Sequence, residues 1–157
     1  MEKTIVREAA FRALFQFNFI DLKEVERESY MDDSLKNALD GEEFPEVLKL
    51  KNRHIAKTKI LFEGTLANLE KIDEIIKAAL KEDWSFSRLA TAEKNILRLA
   101  VFEMKFDAKH LAAPIIITEA LKLAEKYGST DSSKKFVNGI LSAISKDQAE
   151  NNSTETD

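Results

Sequence analysis

The chain has 157 residues, of which 44% are hydrophobic and 33% are charged, a composition typical of one globular domain with a sizeable core. Four glycines and two prolines supply too few turns for a β-sandwich or a barrel, so an all-α fold is predicted. The lack of cysteine excludes disulfides, a thiolate nucleophile and Cys-ligated zinc, and a net charge of −4 gives no overall attraction for polyanions.

Acidic residues are concentrated at the C-terminus. Residues 147–157 carry four acidic side chains and no basic one, which leaves residues 1–146 with a net charge of zero. We expect a single helical domain over residues 1–146 and a disordered tail over residues 147–157. No apolar run approaches the roughly 18 residues of a membrane span, and the N-terminus lacks the apolar core of a signal peptide. The protein is therefore expected to be cytoplasmic, and any binding of nucleic acid must depend on local basic patches.

Apolar residues at helical spacing predict a first helix over residues 4–20. Arg7 and Arg12 lie among them, and Lys3 comes just before. Taken alone, such residues are more often solvated charges beside a core helix than a binding site. Residues 21–46 are the least regular part of the chain, with a short helix predicted around residues 30–39.

From Val47 to Leu80 the pattern predicts one long helix and, after a break near residues 68–73, a second one. The first contains a basic run between Lys49 and Lys59, with five lysines and arginines in 11 residues. Two interpretations stay open for this run. A solubilising face is the commoner one, and a nucleic-acid face is the alternative.

The next segments predict a central helix and its neighbour. Residues 84–89 form a connection, and Thr91 is expected to cap a helix that extends to Phe106. This helix is apolar on nearly all sides, which favours a central position. Pro114 lies where a helix start tolerates proline, and Gly128 is expected to end that helix as a C′ glycine.

The last helix follows candidate N-caps at residues 129–132 and carries an apolar stripe, formed by Phe136, Val137, Ile140, Leu141 and Ile144. Gly139 interrupts the helix, which costs about 1 kcal/mol relative to alanine. We expect the close approach of a neighbouring group to compensate for this cost. Lys134 and Lys135 in the first turn oppose the helix dipole, so this helix start would suit a phosphate.

The sequence lacks a convergent set of catalytic groups. His54 and His110 are isolated, and no metal-binding histidine pair, phosphate-binding glycine loop or Gly-x-Ser-x-Gly elbow occurs. The carboxylates are scattered among lysines, as surface charges are. We therefore expect a recognition protein, with no enzymatic activity, cofactor or metal.

Three stretches, in this order and at this separation, form a specific combination. The first is REAAFRALFQF at residues 7–17. The second is WSFSRL at 84–89 with EKNILRLAVFEM at 93–104, and the third is ITEALKLAEKYG at 117–128 with KFVNGIL at 135–141. Together they resemble the NusB family of bacterial transcription antitermination factors.

The resemblance implies an all-α fold of about seven helices in two packed helical subdomains. It also implies binding to the boxA element of ribosomal RNA leader transcripts, together with the small-subunit ribosomal protein that doubles as NusE. Other Nus factors and RNA polymerase would join the assembled complex. No catalysis is implied.

Family positions transferred to this chain predict an RNA-binding surface on the first helix and on the loop that leads into the last one. Its residues are Lys3, Arg7, Arg12, Phe15, Asp131, Lys134, Lys135 and Phe136. The cations would bind phosphates, and an exposed aromatic ring could stack on an unpaired base. The region from Trp84 to Glu93, with Arg88 and Glu93 in it, is predicted to contact the protein partner.

Two other functions are compatible with the same fold. Many family members begin with an arginine cluster, whereas Glu2, Thr4, Ile5 and Val6 occupy most of that region here. This difference motivates a protein-interaction scaffold with weak or no RNA binding. The third interpretation is the RNA-binding module of a ribosomal RNA methyltransferase, which would need a separate catalytic subunit.

Overall fold

The helical periodicity of the sequence is realised as seven α-helices in the computed structural model, with no strand among the residues that it describes. These are residues 2–17, 24–109 and 111–155, with side chains described for residues 4–17, 26–109 and 111–146. The helices are α1 (Glu2–Phe17), α2 (Glu24–Ala38), α3 (Asn52–Ala67), α4 (Leu69–Ala79), α5 (Thr91–Lys105), α6 (Ala113–Tyr127) and α7 (Ser133–Glu155). The predicted all-α fold is confirmed.

The chain divides into two compact units, Met1–Ala67 and Asn68–Asp157. In the first unit, α1 packs against α2 and α3. Small residues on α1, namely Ala9, Ala10 and Ala13, are fully buried. The largest side chains excluded from solvent in this unit are Phe11, Leu14, Leu61 and Phe62, and each contributes about 1.5–3 kcal/mol through burial.

In the second unit, α5 contacts α4, α6 and α7, and nearly all of its side chains are buried. This confirms the central helix that its apolar sequence predicts. A charged residue on α5 is buried with a partner, since Arg98 donates to both carboxylate oxygens of Asp73 at 2.8 and 2.9 Å. Such a two-point contact compensates for the removal of both charges from water.

Several element boundaries differ from the predictions. The long helix expected from Val47 is instead a 3₁₀ turn, Pro45–Lys49, followed by an extended Leu50 at φ −74° and ψ 136°, and then α3. Val47 and Leu50 are buried, so the chain is held in this bend by its core. Lys49 and Lys51 therefore do not share a helix with Arg53, Lys57 and Lys59. The break before α4 is confirmed at Asn68.

The first and second helices also differ in extent from their predictions. α1 begins at Glu2, two residues before the predicted start, and is described as far as Phe17, so residues 18–20 of the predicted helix lie outside the described residues. α2 is longer than the predicted short helix. Thr91 does not cap α5, because Ala90 occupies the N-cap position and no side chain caps the helix there.

α7 extends to Glu155, but its side chains beyond residue 146 lie outside the described part of the chain. The disordered tail over residues 147–157 and the single domain over residues 1–146 stay predictions. Within the described residues, no helix has both the length and the apolar character needed to cross a membrane.

Candidate nucleic-acid interface

One buried carboxylate holds the loop between α6 and α7. Glu93, in the first turn of α5, is 4% exposed. Its Oε1 accepts hydrogen bonds from the backbone N–H of Ser129 at 2.6 Å, from the Ser129 hydroxyl at 2.9 Å and from the Ser133 hydroxyl at 2.6 Å. Burial alone raises the pKa of Glu93, but the hydrogen bonds from Ser133 and Ser129 outweigh it and lower the pKa below its ordinary value of 4.5. The ionised carboxylate thus fixes both ends of the loop.

The loop also makes hydrogen bonds within itself. The backbone N–H of Thr130 donates to the Ser133 hydroxyl at 3.1 Å, and the backbone N–H of Ser132 donates to the Thr130 hydroxyl at 3.2 Å. The backbone of this segment is therefore arranged before any ligand arrives. Preorganisation of this kind reduces the entropic cost of binding.

Gly128 ends α6 as predicted, but for a different reason. Its φ of −58° and ψ of 145° are open to any residue, so it is not a left-handed C′ glycine. A Cβ at this position would instead collide with the carbonyl oxygen of Ala124 and with the side chain of Ser133. The glycine allows the loop to pass close to the end of α6.

The start of α7 presents its charged side chains to solvent. Asp131, Lys134 and Lys135 are exposed, and Phe136 is half-buried. Lys134 Nζ lies 3.7 Å from Glu125 Oε2, and both side chains are at least half exposed. For Lys135, no salt bridge occurs within the described part of the chain. These four predicted RNA-binding residues therefore share one segment whose two lysines are accessible.

The predicted RNA-binding residues on α1 have different surroundings. Arg7 is 5% exposed, and the guanidinium carbon of Arg12 lies 4.9 Å from the centre of the Phe44 ring. Phe15 is half-buried with its ring centre 6.0 Å from that of Phe11. The side chain of Lys3 lies outside the described residues. Contact with RNA stays a prediction for all eight residues, and among the described side chains of α1 neither arginine is exposed.

Arg88 is exposed on a second 3₁₀ turn, Phe86–Arg88, which a cluster of cations anchors. Lys77 Nζ, Lys94 Nζ and the Arg98 guanidinium carbon lie 5.2, 4.9 and 5.6 Å from the centre of the Phe86 ring. Burial and the neighbouring Arg98 lower the pKa of Lys94, and Asp73 opposes this effect. Arg88 is thus accessible to a partner, whereas Glu93 is buried beneath the loop. Their contact with a protein partner stays a prediction.

Sequence reasoning missed an aromatic groove in the second unit. The Trp84 ring lies 5.2 Å from the Phe136 ring, centre to centre, and Trp84 is 49% exposed. Both rings line a groove of about 620 Å³, together with Gly139. The expected close approach at Gly139 is wrong, because a Cβ there would meet nothing within 4 Å beyond the adjacent residues and backbone of its own helix. The sequence feature that could have indicated the groove is Trp84, a tryptophan in a connecting segment.

Among the described residues, no cluster of histidine and carboxylate side chains has the geometry to hold a metal ion.

Residues 4–146 match the model of the NusB family. The chain belongs to the NusB family. The resemblance seen in the three sequence stretches is thereby confirmed, and it extends over nearly the whole chain.

Individual members of the NusB family resemble this chain in sequence and in fold. The transcription antitermination protein NusB of Bacillus licheniformis is 37% identical over 147 residues, which cover 94% of this chain and 98% of that protein. The solved NusB of T. maritima is 34% identical with a TM-score of 0.74, over 92% of this chain and 90% of that one. A solved complex of the antitermination factors NusB and NusE with dsRNA contains a chain 25% identical, with a TM-score of 0.72, over 92% of this chain and 96% of that one.

Proposed function

We propose that this NusB-family chain is a transcription antitermination factor that binds boxA-type RNA of ribosomal RNA leader transcripts together with the NusE-type ribosomal protein. The family membership and the solved relative with NusE and dsRNA support this function. The single structural observation that carries it is the accessible pair of lysines in the first turn of α7, beside the loop that Glu93 holds. Other Nus factors and RNA polymerase would complete the complex in the cytoplasm.

The charge pattern at the start of α7 suits a phosphate backbone. Lys134 and Lys135 lie where the helix dipole repels cations, so a bound phosphate would relieve an unfavourable arrangement. The ion pair of Lys134 with Glu125 is exposed and contributes little, so Lys134 can exchange it for a phosphate. Asp131, exposed in the loop before α7, stays among the residues proposed to contact RNA.

The protein partner would meet the second unit at the 3₁₀ turn that carries Arg88. Phe86 holds this turn against α4 and α5 through its cation–π contacts, so Arg88 projects from a fixed base. Glu93 begins the helix that follows this turn and binds the loop before α7. We assign it an indirect part in partner binding, through the position of that loop.

The proposal is tested by a gel-shift titration of a boxA-like RNA at low salt, with and without the purified NusE-type protein. A ternary complex is expected, and Lys135→Ala should weaken it. Lys71→Ala is the matched control, because Lys71 is equally exposed on α4. Absence of any ternary complex with the unaltered chain would refute the proposal.

A scaffold function without RNA binding is the second candidate. It is favoured by the burial of Arg7 and by the position of Arg12 over Phe44, since these cations are poorly placed for phosphates. The same titration separates the two candidates. Binding of the NusE-type protein without any RNA shift, unaffected by Lys135→Ala, would select the scaffold.

A further inference from the structure

The groove beside α7 combines aromatic rings with positive charge. Trp84 and Phe136 form one wall, and Leu80 and Ile140 add apolar surface. The charged residues that line it are Lys81 and Lys135, both exposed. Glu82 and Asp83 precede Trp84 in the chain but do not line the groove.

We infer that this groove is a subsite for an unpaired nucleotide of single-stranded RNA, with the base stacked on Trp84 and the flanking phosphates bound by Lys81 and Lys135. The inference rests on the proposed function and adds Trp84 and Lys81 to the RNA-binding residues that the family resemblance implied. Proteins bind single-stranded RNA by stacking bases on aromatic side chains beside a basic path for the backbone. An apolar groove whose charged lining residues are both cations fits that chemistry, because a base presents an apolar face and its phosphate a negative charge.

Gly139 acquires a role in this arrangement. It lies on the groove and is exposed, and a Cβ at this position would meet nothing within 4 Å beyond the adjacent residues and backbone of α7. The absence of a side chain therefore keeps the groove open beside Phe136. The helix bears the propensity cost of glycine, and the space that it leaves can accept a flat ring.

The experiment uses the chain's single tryptophan as its reporter. The full chain is titrated with a boxA-like single-stranded RNA at low salt, while tryptophan fluorescence and the anisotropy of the labelled RNA are recorded. Stacking should quench the Trp84 emission. An RNA of the same length with abasic sites keeps the phosphates but has no base to stack, so it should bind more weakly and leave the emission unquenched.

Two variants test the groove directly. Trp84→Ala removes the platform, and Gly139→Leu fills the groove at a position with free space, so α7 should keep its helical circular dichroism. Each should weaken RNA binding on the order of tenfold. Ile115→Ala is the control, because Ile115 is equally exposed on α6 and does not line the groove.

The outcomes separate the groove from the wider function. Quenching by the intact RNA alone, with weakened binding in both variants, supports the inference. Normal RNA affinity in both variants overturns the groove and leaves the antitermination function standing. Loss of NusE-type protein binding with unchanged RNA affinity also overturns it, because the groove would then hold a protein side chain. If the unaltered chain binds no RNA even in the presence of the NusE-type protein, both proposals fail.

Discussion

α1 and the start of α7 carry similar basic residues, but the two helices place them in opposite environments. Arg7 is buried, and Arg12 lies over the ring of Phe44. Lys134 and Lys135 are exposed beside a loop that Glu93 holds in place. The difference teaches that a basic residue on an amphipathic helix indicates a phosphate contact only where the fold leaves its charge in water.

Arg7→Glu should have the largest effect and sharpen this contrast. A carboxylate at the buried position of Arg7 would lose the interactions that the guanidinium makes and would be poorly solvated. The free energy of unfolding should fall by about 3 kcal/mol, as measured by urea denaturation. Arg53→Glu reverses the same charge at an exposed position on α3. It should change the free energy of unfolding by less than about 0.5 kcal/mol. If Arg7→Glu lowered the free energy of unfolding as little as Arg53→Glu does, Arg7 would be accessible to a ligand.

Glu93→Gln tests whether the Glu93 carboxylate holds the loop beside the exposed lysines of α7. Loss of the negative charge weakens three hydrogen bonds, and we expect a destabilisation of about 2 kcal/mol at neutral pH. The folded-state pKa of Glu93 is lowered, so its stabilising effect is complete above the ordinary pKa of 4.5 and is lost as the pH falls through the lowered value. The difference in urea midpoint between the original chain and the variant should therefore shrink in acid.

The control for this pH dependence is Glu74→Gln, at an exposed position on α4. Its urea midpoint should follow that of the original chain at every pH. A difference between the original chain and Glu93→Gln that stays constant into acid would mean that the charge of Glu93 does not hold the loop.

Lys135→Glu tests the functional side of the comparison. RNA binding should weaken about tenfold, which corresponds to about 1.4 kcal/mol. The slope of log Kobs against log salt should also become shallower, by about 0.7 for each phosphate that the variant no longer neutralises. Urea denaturation should show no change, since the side chain is exposed. Lys71→Glu serves as control, and equal weakening by both variants would indicate a general charge effect.

Gly139→Ala should have the smallest effect of the four substitutions, and it should stabilise the protein. The added Cβ meets open space, so the helix gains propensity and stability rises by about 0.5–1 kcal/mol. Gly128→Ala should instead destabilise, because its Cβ collides with the backbone of Ala124. Thermal melts of the two variants provide the comparison. A lowered Tm for Gly139→Ala would show that this position is more crowded than the structure indicates.

Most helices were predictable because their apolar periodicity is local information. The central position of α5 followed from its apolar sequence, and the end of α6 from Gly128. The bend at Leu50 was not predictable, because it depends on the burial of Val47 and Leu50 in the core of the first unit. The predicted cap at Thr91 was wrong by one residue, because Thr91 is the first residue of α5. Helix ends vary by one or two residues, so local sequence specifies the end residue only weakly.

The candidate site was predictable only in part. Lys134 and Lys135 stood out as cations at a helix start, and the fold leaves both exposed. Trp84 was predicted only as part of the partner-binding region, because only the fold brings it beside Phe136, 52 positions further along the chain. The role of Glu93 beneath the loop was equally invisible, since its hydrogen-bond partners lie 36 and 40 residues away in sequence.

The sequence by itself determined the all-α class, the order of the helices and the membership of the NusB family, because periodicity and motif spacing are properties of the chain alone. Only the tertiary structure decided which charges face water. Arg7 and Lys135 look alike in an amphipathic pattern, and the packing around each one excludes water from the first and leaves the second exposed. The same packing gave the two glycines opposite meanings, since Gly128 is crowded by its neighbours and Gly139 borders an open groove.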